Sequence, residues 1–292
     1  MFHIESYEKA ESVAHAIELL KNNPQARPIA GGTDVLIRLR EGKEGFRHLV
    51  DIHGLSDLKQ CHILENGSLT IGSGVTFTEA TLSDLIKQNI PILVTAASTV
   101  GGPQVRNVAT FGGNICNGVT SADSASAFMV LNALLQLEGK EGIRQVPISE
   151  FYLGPGKVDR KQDEILTKFI ITPENYKGYL GHYHKYAMRN AMDIATIGCA
   201  AACKIEDNVL KDIRLSYGVA GPVPIRCPQT EQAVKGQSVS LQLINDIKRM
   251  VEKDVNPRTS WRASKEFRLQ IIRELAGRVV EKIIKDSGGR LN

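Results

Sequence analysis

Val100 to Asn114 reads VGGPQVRNVATFGGN. Two Gly-Gly pairs bracket a short run of mixed polarity, and Ser121-Ala122-Asp123 follows closely. Upstream, Ile29 to Val35 (IAGGTDV) has the same character: an apolar strand end, two glycines, then Thr33 and Asp34. Glycine lets a chain turn sharply and leave several N–H groups pointing one way, a concavity suited to phosphate or pyrophosphate. Two such bends predict a large anionic ligand gripped from two sides. A strand–turn–helix setting strengthens the first, because N–H groups at a helix start carry partial positive charge. The Asp34 carboxylate would repel phosphate, so Thr33 or Asp34 is expected to cap the next helix and tie down the loop.

Neither bend belongs to a common nucleotide fold. The G-x-G-x-x-G fingerprint is absent: Gly72-Ser73-Gly74 lacks a third glycine and an acidic partner. Gly154-Pro155-Gly156-Lys157 places proline where a phosphate loop needs an amide, and no G-x-x-x-x-G-K-[ST] occurs. A pyrophosphate here must be held by irregular loops.

At 292 residues and 42% hydrophobic content, the chain is expected to form two domains with sizeable cores. Its 36 basic and 32 acidic residues are interspersed and aromatic content is only 5%, which argues against a nucleic-acid surface. No apolar run approaches the ~20 residues of a membrane span, and the first residues lack a basic-then-apolar leader. Cys61, Cys116, Cys199, Cys203 and Cys227 are irregularly spaced, with no C-x-x-C pair. Cys199 and Cys203 lie in a β-like stretch and read as buried thiols. The expectation is a reduced, cytoplasmic protein, with no membrane or nucleic-acid partner and no zinc or iron–sulfur cluster of its own. The seven histidines, His182 and His184 among them, show no metal spacing and read as surface imidazoles.

Periodicity predicts a helix over Val13 to Leu20, strands at Arg27–Ala30 and His48–Ile52, and a short helix after Val35. One helix is expected from Phe77 to Asn89 and another from Ile92 to Thr99. A helix capped by Ser121 or Asp123 follows, then a hairpin pairing Leu134–Glu138 with Arg144–Ile148 and a strand from Glu164 to Ile171. Ala195–Lys204 and Ile213–Val219 alternate like antiparallel strands, and Phe267, Ile271, Leu275, Val279 and Ile283 form the core stripe of a terminal helix. The fold class is α+β. Residues 1–175 form a first domain of two α+β subdomains, about 1–55 and 56–175. Residues 176–292 form a smaller α+β domain of antiparallel sheet and helices, with the boundary within Pro173–Gly181.

Read from Gln104 to Asn114, Gln-x-Arg-Asn-x-Ala-Thr-x-Gly-Gly-Asn resembles the flavin-binding signature of the molybdenum hydroxylase flavoproteins. AGGTD ending at Asp34, Ser-Ala-Asp at 121–123, Asp-Glu-Ile-Leu at 163–166 and His-Lys-Tyr-Ala-Met-Arg at 184–189 follow in the family's order. The resemblance spans most of the chain, whose length and texture are most similar to FAD-binding subunits of bacterial three-subunit xanthine dehydrogenases. It implies a PCMH-type FAD-binding domain over 1–175, with FAD on this chain and molybdopterin and 2Fe-2S clusters on two partner subunits. The molybdenum subunit would oxidise hypoxanthine or xanthine to urate and the iron–sulfur subunit would pass electrons to FAD. Diffusible NAD+ would then take them from this chain. A sibling hydroxylase acting on nicotinate, another purine, an aldehyde or carbon monoxide stays open, as does a module that kept the fold and lost FAD.

The resemblance also implies site residues. Ile29, Ala30, Gly31, Gly32, Thr33, Asp34 and Val35 match the first pyrophosphate loop. Ala109, Thr110, Gly112, Gly113 and Asn114 match the second, where Thr110 donates its hydroxyl and the glycines admit close backbone approach. Asp123 matches an acceptor for FAD hydroxyls, Ile165 and Leu166 a backbone and apolar contact to the flavin, and Lys185 a cation offsetting the cofactor's charge. Read without the resemblance, Asp123 is equally a helix cap, Leu166 core and Lys185 a solvated charge. Arg106 and Arg189 are expected in ion pairs. No side chain is assigned as acid, base or nucleophile, because flavin chemistry belongs to the cofactor. Arg189–Ile197 matches a segment beside the flavin, with control of nicotinamide access as its expected role.

Overall fold

The computed structural model describes residues 3–291; Met1, Phe2 and Asn292, which fall within the expected domain bounds, lie outside the described residues. The first unit comprises β1 (Ser6–Lys9), α1 (Val13–Asn22), β2 (Arg27–Ile29), α2 (Val35–Arg40) and β3 (His48–Asp51), with the strands in a parallel sheet ordered β1-β3-β2. The Ser12 hydroxyl accepts from the His15 N–H at 3.0 Å and starts α1, which turns Ala16 and Leu20 inward. Pro28 is tolerated because β2 is an edge strand. The chain leaves β2 directly into the first glycine bend.

The second unit holds β4 (Cys61–Ile63), β5 (Leu69–Gly72), α3 (Phe77–Leu82), α4 (Asp84–Asn89), α5 (Pro91–Ser98), α6 (Pro103–Arg106), α7 (Phe111–Cys116) and α8 (Asp123–Val130). The chain continues through β6 (Leu134–Gly139), β7 (Gly142–Pro147), α9 (Ile148–Phe151), β8 (Tyr152–Gly154), β9 (Lys157–Val158), β10 (Ile165–Ile171) and α10 (Pro173–Tyr176). Its antiparallel sheet runs β4-β5-β10-β6-β7, and the expected hairpin is β6–β7. The single helix expected from Phe77 to Asn89 is two. Ser83 is extended; its N–H closes α3 on the Glu79 carbonyl while its hydroxyl accepts from the Ile86 N–H and opens α4. An aromatic cluster fixes α3, α7, α8 and β10. Phe111 meets Phe77 and Phe128 edge-on at 5.3 and 5.2 Å, and Phe128 stacks on Phe169 at 4.2 Å.

The third unit contains β11 (Leu180–Tyr186), β12 (Ile197–Glu206), β13 (Val209–Gly218), β14 (Ile225–Arg226), α11 (Pro228–Val234), α12 (Leu241–Met250) and α13 (Lys265–Asp286). Its antiparallel sheet runs β11-β12-β13-β14. Both faces are covered. On β12, Cys199, Ala201 and Cys203 join the core under α13, while Ala200 and Ala202 join the core of the second unit. Alternation along a strand explains the split, and side chains this small allow close packing on both sides. The stripe on α13 is core from Ile272 to Ile284, but Phe267 is exposed and touches Tyr186 edge-on at 6.0 Å. No described helix is long and apolar enough to cross a membrane.

Candidate cofactor site

The two glycine bends meet. A Cβ on Gly31 would stand 2.0 Å from the Val108 carbonyl oxygen and 2.4 Å from its carbon, so only hydrogen fits there. A Cβ on Gly112 would stand 2.7 and 2.8 Å from the Cβ and carbonyl oxygen of Ser73. The missing side chains let Gly31 meet the Val108 backbone and Gly112 meet Ser73, while both glycines also line the cavity described next. Gly32 serves differently: its φ of +71° belongs to the left-handed region and turns the chain back.

Beside this junction lies a cavity of about 730 Å³, within the range of sites that enclose small molecules. Both bends line it, through Ala30 to Val35 and through Ala109, Thr110, Gly112, Gly113 and Asn114. Ile165 and Leu166 at the start of β10 add apolar wall, and Met192 and Ile194 reach in from the third unit. Ile29 lies behind the wall in its own small core.

The bends differ in what they offer. Among the described residues, the N–H groups of Gly31, Gly32, Thr33, Asp34 and Val35 find no acceptor within the protein. Five consecutive unspent amides on a cavity wall form a receptor for an anion. The second bend has spent most of its own: the Phe111, Gly112, Gly113 and Asn114 N–H groups bond Val75 O, Ser73 O, Thr110 Oγ1 and Thr110 O at 2.7–3.1 Å. The buried Thr110 hydroxyl accepts from Gly113, which leaves its proton free to donate.

Charge on the wall agrees with an anionic occupant. Arg27, Arg38, Lys43 and Arg160 line the cavity against Asp34 and Glu164. Glu164 is already neutralised. Burial pushes its carboxyl up, but Arg144, at 2.7 Å, and the Lys161 N–H together bring it below the usual carboxylate range. Arg27 sits over the Phe46 ring at 4.8 Å, and burial with the nearby charge of Arg160 lowers its pKa. Cys116, also on the wall, is pushed by burial to about 11 and is an unreactive thiol. Unspent amides, surplus cations and an apolar wall fit a phosphate-bearing aromatic cofactor.

Several expected roles change. Asp34 occupies the position before α2 but makes no capping bond; its side chain hydrogen-bonds Asn117 and so ties the first bend to the end of α7, while burial raises its pKa. Asp123 is not a cap either, since Ala122 holds that position and Asp123 is the first helical residue. Its Oδ1 accepts from the Tyr183 hydroxyl at 2.6 Å and its Oδ2 from Lys185 Nζ at 2.8 Å, with Lys185 also donating to Thr99 O at 3.0 Å. Tyr183 and Lys185 alternate onto the same face of β11, which aims both at α8. Burial nevertheless raises the Asp123 pKa against the pull of Lys185 and Tyr183. The pair is joined to itself and is not on the cavity wall.

Among the described residues Arg106 makes no ion pair; its guanidinium donates to Val100 O and Gly101 O at 3.0 and 3.2 Å, holding the turn before α6. Arg189 does pair with Asp193, at 3.6 Å. His182 and His184 are half-buried rather than superficial, and burial lowers both pKa values. Sequence reasoning passed over Ser73, Gly74, Asn117, Gly156 and Arg160, all on the wall. The Gly-Ser-Gly at 72–74 carries a visible signal of close backbone approach, although it completes no dinucleotide fingerprint. Arg160 had none, for only the tertiary fold brings it beside Arg27.

The family profile described as "FAD binding domain in molybdopterin dehydrogenase" matches residues 2–174, and that described as "CO dehydrogenase flavoprotein C-terminal domain" matches residues 182–283. The chain is 48% identical to the xanthine dehydrogenase FAD-binding subunit of Escherichia coli O157:H7 over 292 residues, covering 100% of both chains. It is 30% identical to the glyceraldehyde dehydrogenase medium chain of Sulfolobus acidocaldarius over 95% of this chain and 98% of that one. The solved quinoline 2-oxidoreductase of Pseudomonas putida 86 shares its fold at a TM-score of 0.92 and 23% identity, over 98% of this chain and 99% of that one. With this architecture and these matches, the chain belongs to the family of FAD-binding subunits of the molybdenum hydroxylases.

Proposed function

We propose that this chain is the FAD-binding subunit of a xanthine dehydrogenase that delivers electrons to NAD+. The full-length likeness to a xanthine dehydrogenase FAD-binding subunit carries the choice of enzyme. Bound FAD would exchange single electrons from a 2Fe-2S partner for an electron pair given to NAD+. The chain's residues bind and orient. The Gly31–Val35 amides and the Thr110 hydroxyl hold the pyrophosphate, Asp34 keeps the first bend against Asn117, and Ile165 and Leu166 exclude water from the ring. Ile29 anchors the first bend from β2 and Ala109 meets that bend at Gly31, while Ala30, Gly112, Gly113 and Asn114 are proposed to contact the cofactor from the cavity wall. Asp123 is the proposed acceptor for cofactor hydroxyls and Lys185 the compensating cation.

The reading carries a heterotrimer in the cytoplasm, with a molybdopterin-binding and a 2Fe-2S subunit as partners and purine oxidation as its chemistry. It takes 1–175 as the FAD-binding domain and 176–292 as the C-terminal domain. The Arg189–Ile197 loop governs nicotinamide access: its Met192 and Ile194 form cavity wall, and Asp193 braces it by accepting from the Arg189 and Ile194 N–H groups at 3.0 and 2.8 Å. The test is co-purification with partner subunits followed by assay. Xanthine- or hypoxanthine-dependent NAD+ reduction is expected. Turnover of nicotinate or an aldehyde alone, or transfer only to oxygen, would overturn it.

A further inference from the structure

Trp261 is 79% exposed, although large aromatic side chains are seldom left so bare. A tight turn presents it, closed by an antiparallel bridge from Ser260 to Ala263 with the Ser260 N–H on Ala263 O at 3.0 Å. The Arg262 guanidinium covers one ring face at 4.2 Å from the centroid. Beneath the turn, Arg268 is 2% exposed and donates to the Thr196 carbonyl and to the Ser260 hydroxyl. Its Nε and that of Arg262 are buried without partners, and among the described residues no carboxylate pairs with Arg258, Arg262 or Arg268. Burial and the charges of Arg258 and Arg262 together lower the Arg268 pKa. A buried guanidinium without a counter-ion is costly, and it leaves a strong positive field under an exposed aromatic plane.

The turn is joined to the cavity. Arg268 holds the loop whose Met192 and Ile194 form cavity wall, and Asp193 between them feels the charge of Arg262. Asp193 is already engaged with Arg189 and two backbone amides, so it does not neutralise the cluster.

We propose that Trp261 and Arg262 form a docking platform for the adenosine diphosphate half of a pyridine dinucleotide, from which the nicotinamide reaches the flavin cavity past Met192 and Ile194. This rests on the reading of NAD+ as acceptor. The indole stacks the adenine and the Arg262 guanidinium meets the diphosphate, with Arg268 supplying field from below.

Trp261 is the chain's one tryptophan and so reports on its own site. With the full FAD-loaded chain, NADH and ADP are each titrated while tryptophan emission and flavin absorbance are recorded separately. Saturable quenching by both, with ADP competing against NADH, is expected. Trp261→Ala and Arg262→Gln should each weaken NADH binding, read by equilibrium dialysis, about tenfold or more at unchanged flavin content. In the assembled complex the KM for NAD+ should rise while transfer to an uncharged dye stays constant. If NADH perturbs the flavin with unchanged affinity in both variants, the platform is wrong and the acceptor reading stands. If NADH binds nowhere and NAD+ is never reduced, the acceptor reading fails and the platform with it. Loss of partner assembly in either variant at normal NADH affinity would also overturn the platform, marking the turn as a subunit contact.

Discussion

Gly31→Ala probes the junction on which the cofactor site is built. The added methyl would lie 2.0 Å from Val108 O, whereas ordinary contact begins at 3.4 Å, so the two bends must separate by about 1.4 Å. Backbone lies on both sides and no side chain can swing away. Overpacking of this kind costs ~1–3 kcal/mol in stability. The same displacement moves the Gly31–Val35 amides away from the Thr110 hydroxyl, so a phosphate cannot contact both. Losing one hydrogen bond to a charged group costs ~1.5–3 kcal/mol, or about ten- to a hundredfold in FAD affinity. FAD titration of the deflavinated chain by fluorescence, beside urea unfolding, measures both. Gly154→Ala is the control, because its Cβ would meet nothing within 4 Å and its φ is not left-handed. Wild-type FAD affinity in Gly31→Ala would refute the idea that contact between the bends sets the site.

Glu164→Gln should lower the urea midpoint at neutral pH by the equivalent of ~1.5–3 kcal/mol, since it breaks charged bonds to Arg144. Because the folded Glu164 pKa is depressed, its stabilisation is present above the unfolded carboxylate value and is lost as pH falls through the folded one. The gap between variant and wild type should therefore close in acid, and a pH-independent gap would refute the assignment. Lys185→Met leaves the Asp123 carboxylate buried without its cation and should cost ~3–5 kcal/mol, while Tyr183→Phe, which leaves Oδ1 unsatisfied, should cost ~1–3 kcal/mol. Equal, negligible losses on denaturation would show that the pair is not structural. Asp193→Ala removes the brace of the Arg189–Ile197 loop and should change NAD+ reduction and oxygen reactivity without altering FAD content; unchanged kinetics would remove the loop from acceptor access.

Much of the architecture was legible because periodicity reports burial directly. The α13 stripe, the β6–β7 hairpin and the β12–β13 alternation needed no distant partner to be read. The break at Ser83 was hidden because a serine competing for backbone N–H groups leaves the apolar spacing intact. That β12 serves two cores was equally hidden: alanine and cysteine announce a buried strand, not which helices cover it. At the site the glycines pointed to the right loops, but their purpose is contact between loops, which depends on residues 77 positions away along the chain at Val108. Asp34 and Asp123 looked like caps because their partners, Asn117, Tyr183 and Lys185, are distant in sequence.

The central claim is that the joined bends present unspent amides to one FAD. Purifying the full chain and recording its visible spectrum with FAD quantified after release tests it most directly. A flavin spectrum with one FAD per chain is the expected result, lost or sharply weakened in Gly31→Ala. A colourless protein that folds, yet takes up no FAD on reconstitution, would contradict the account.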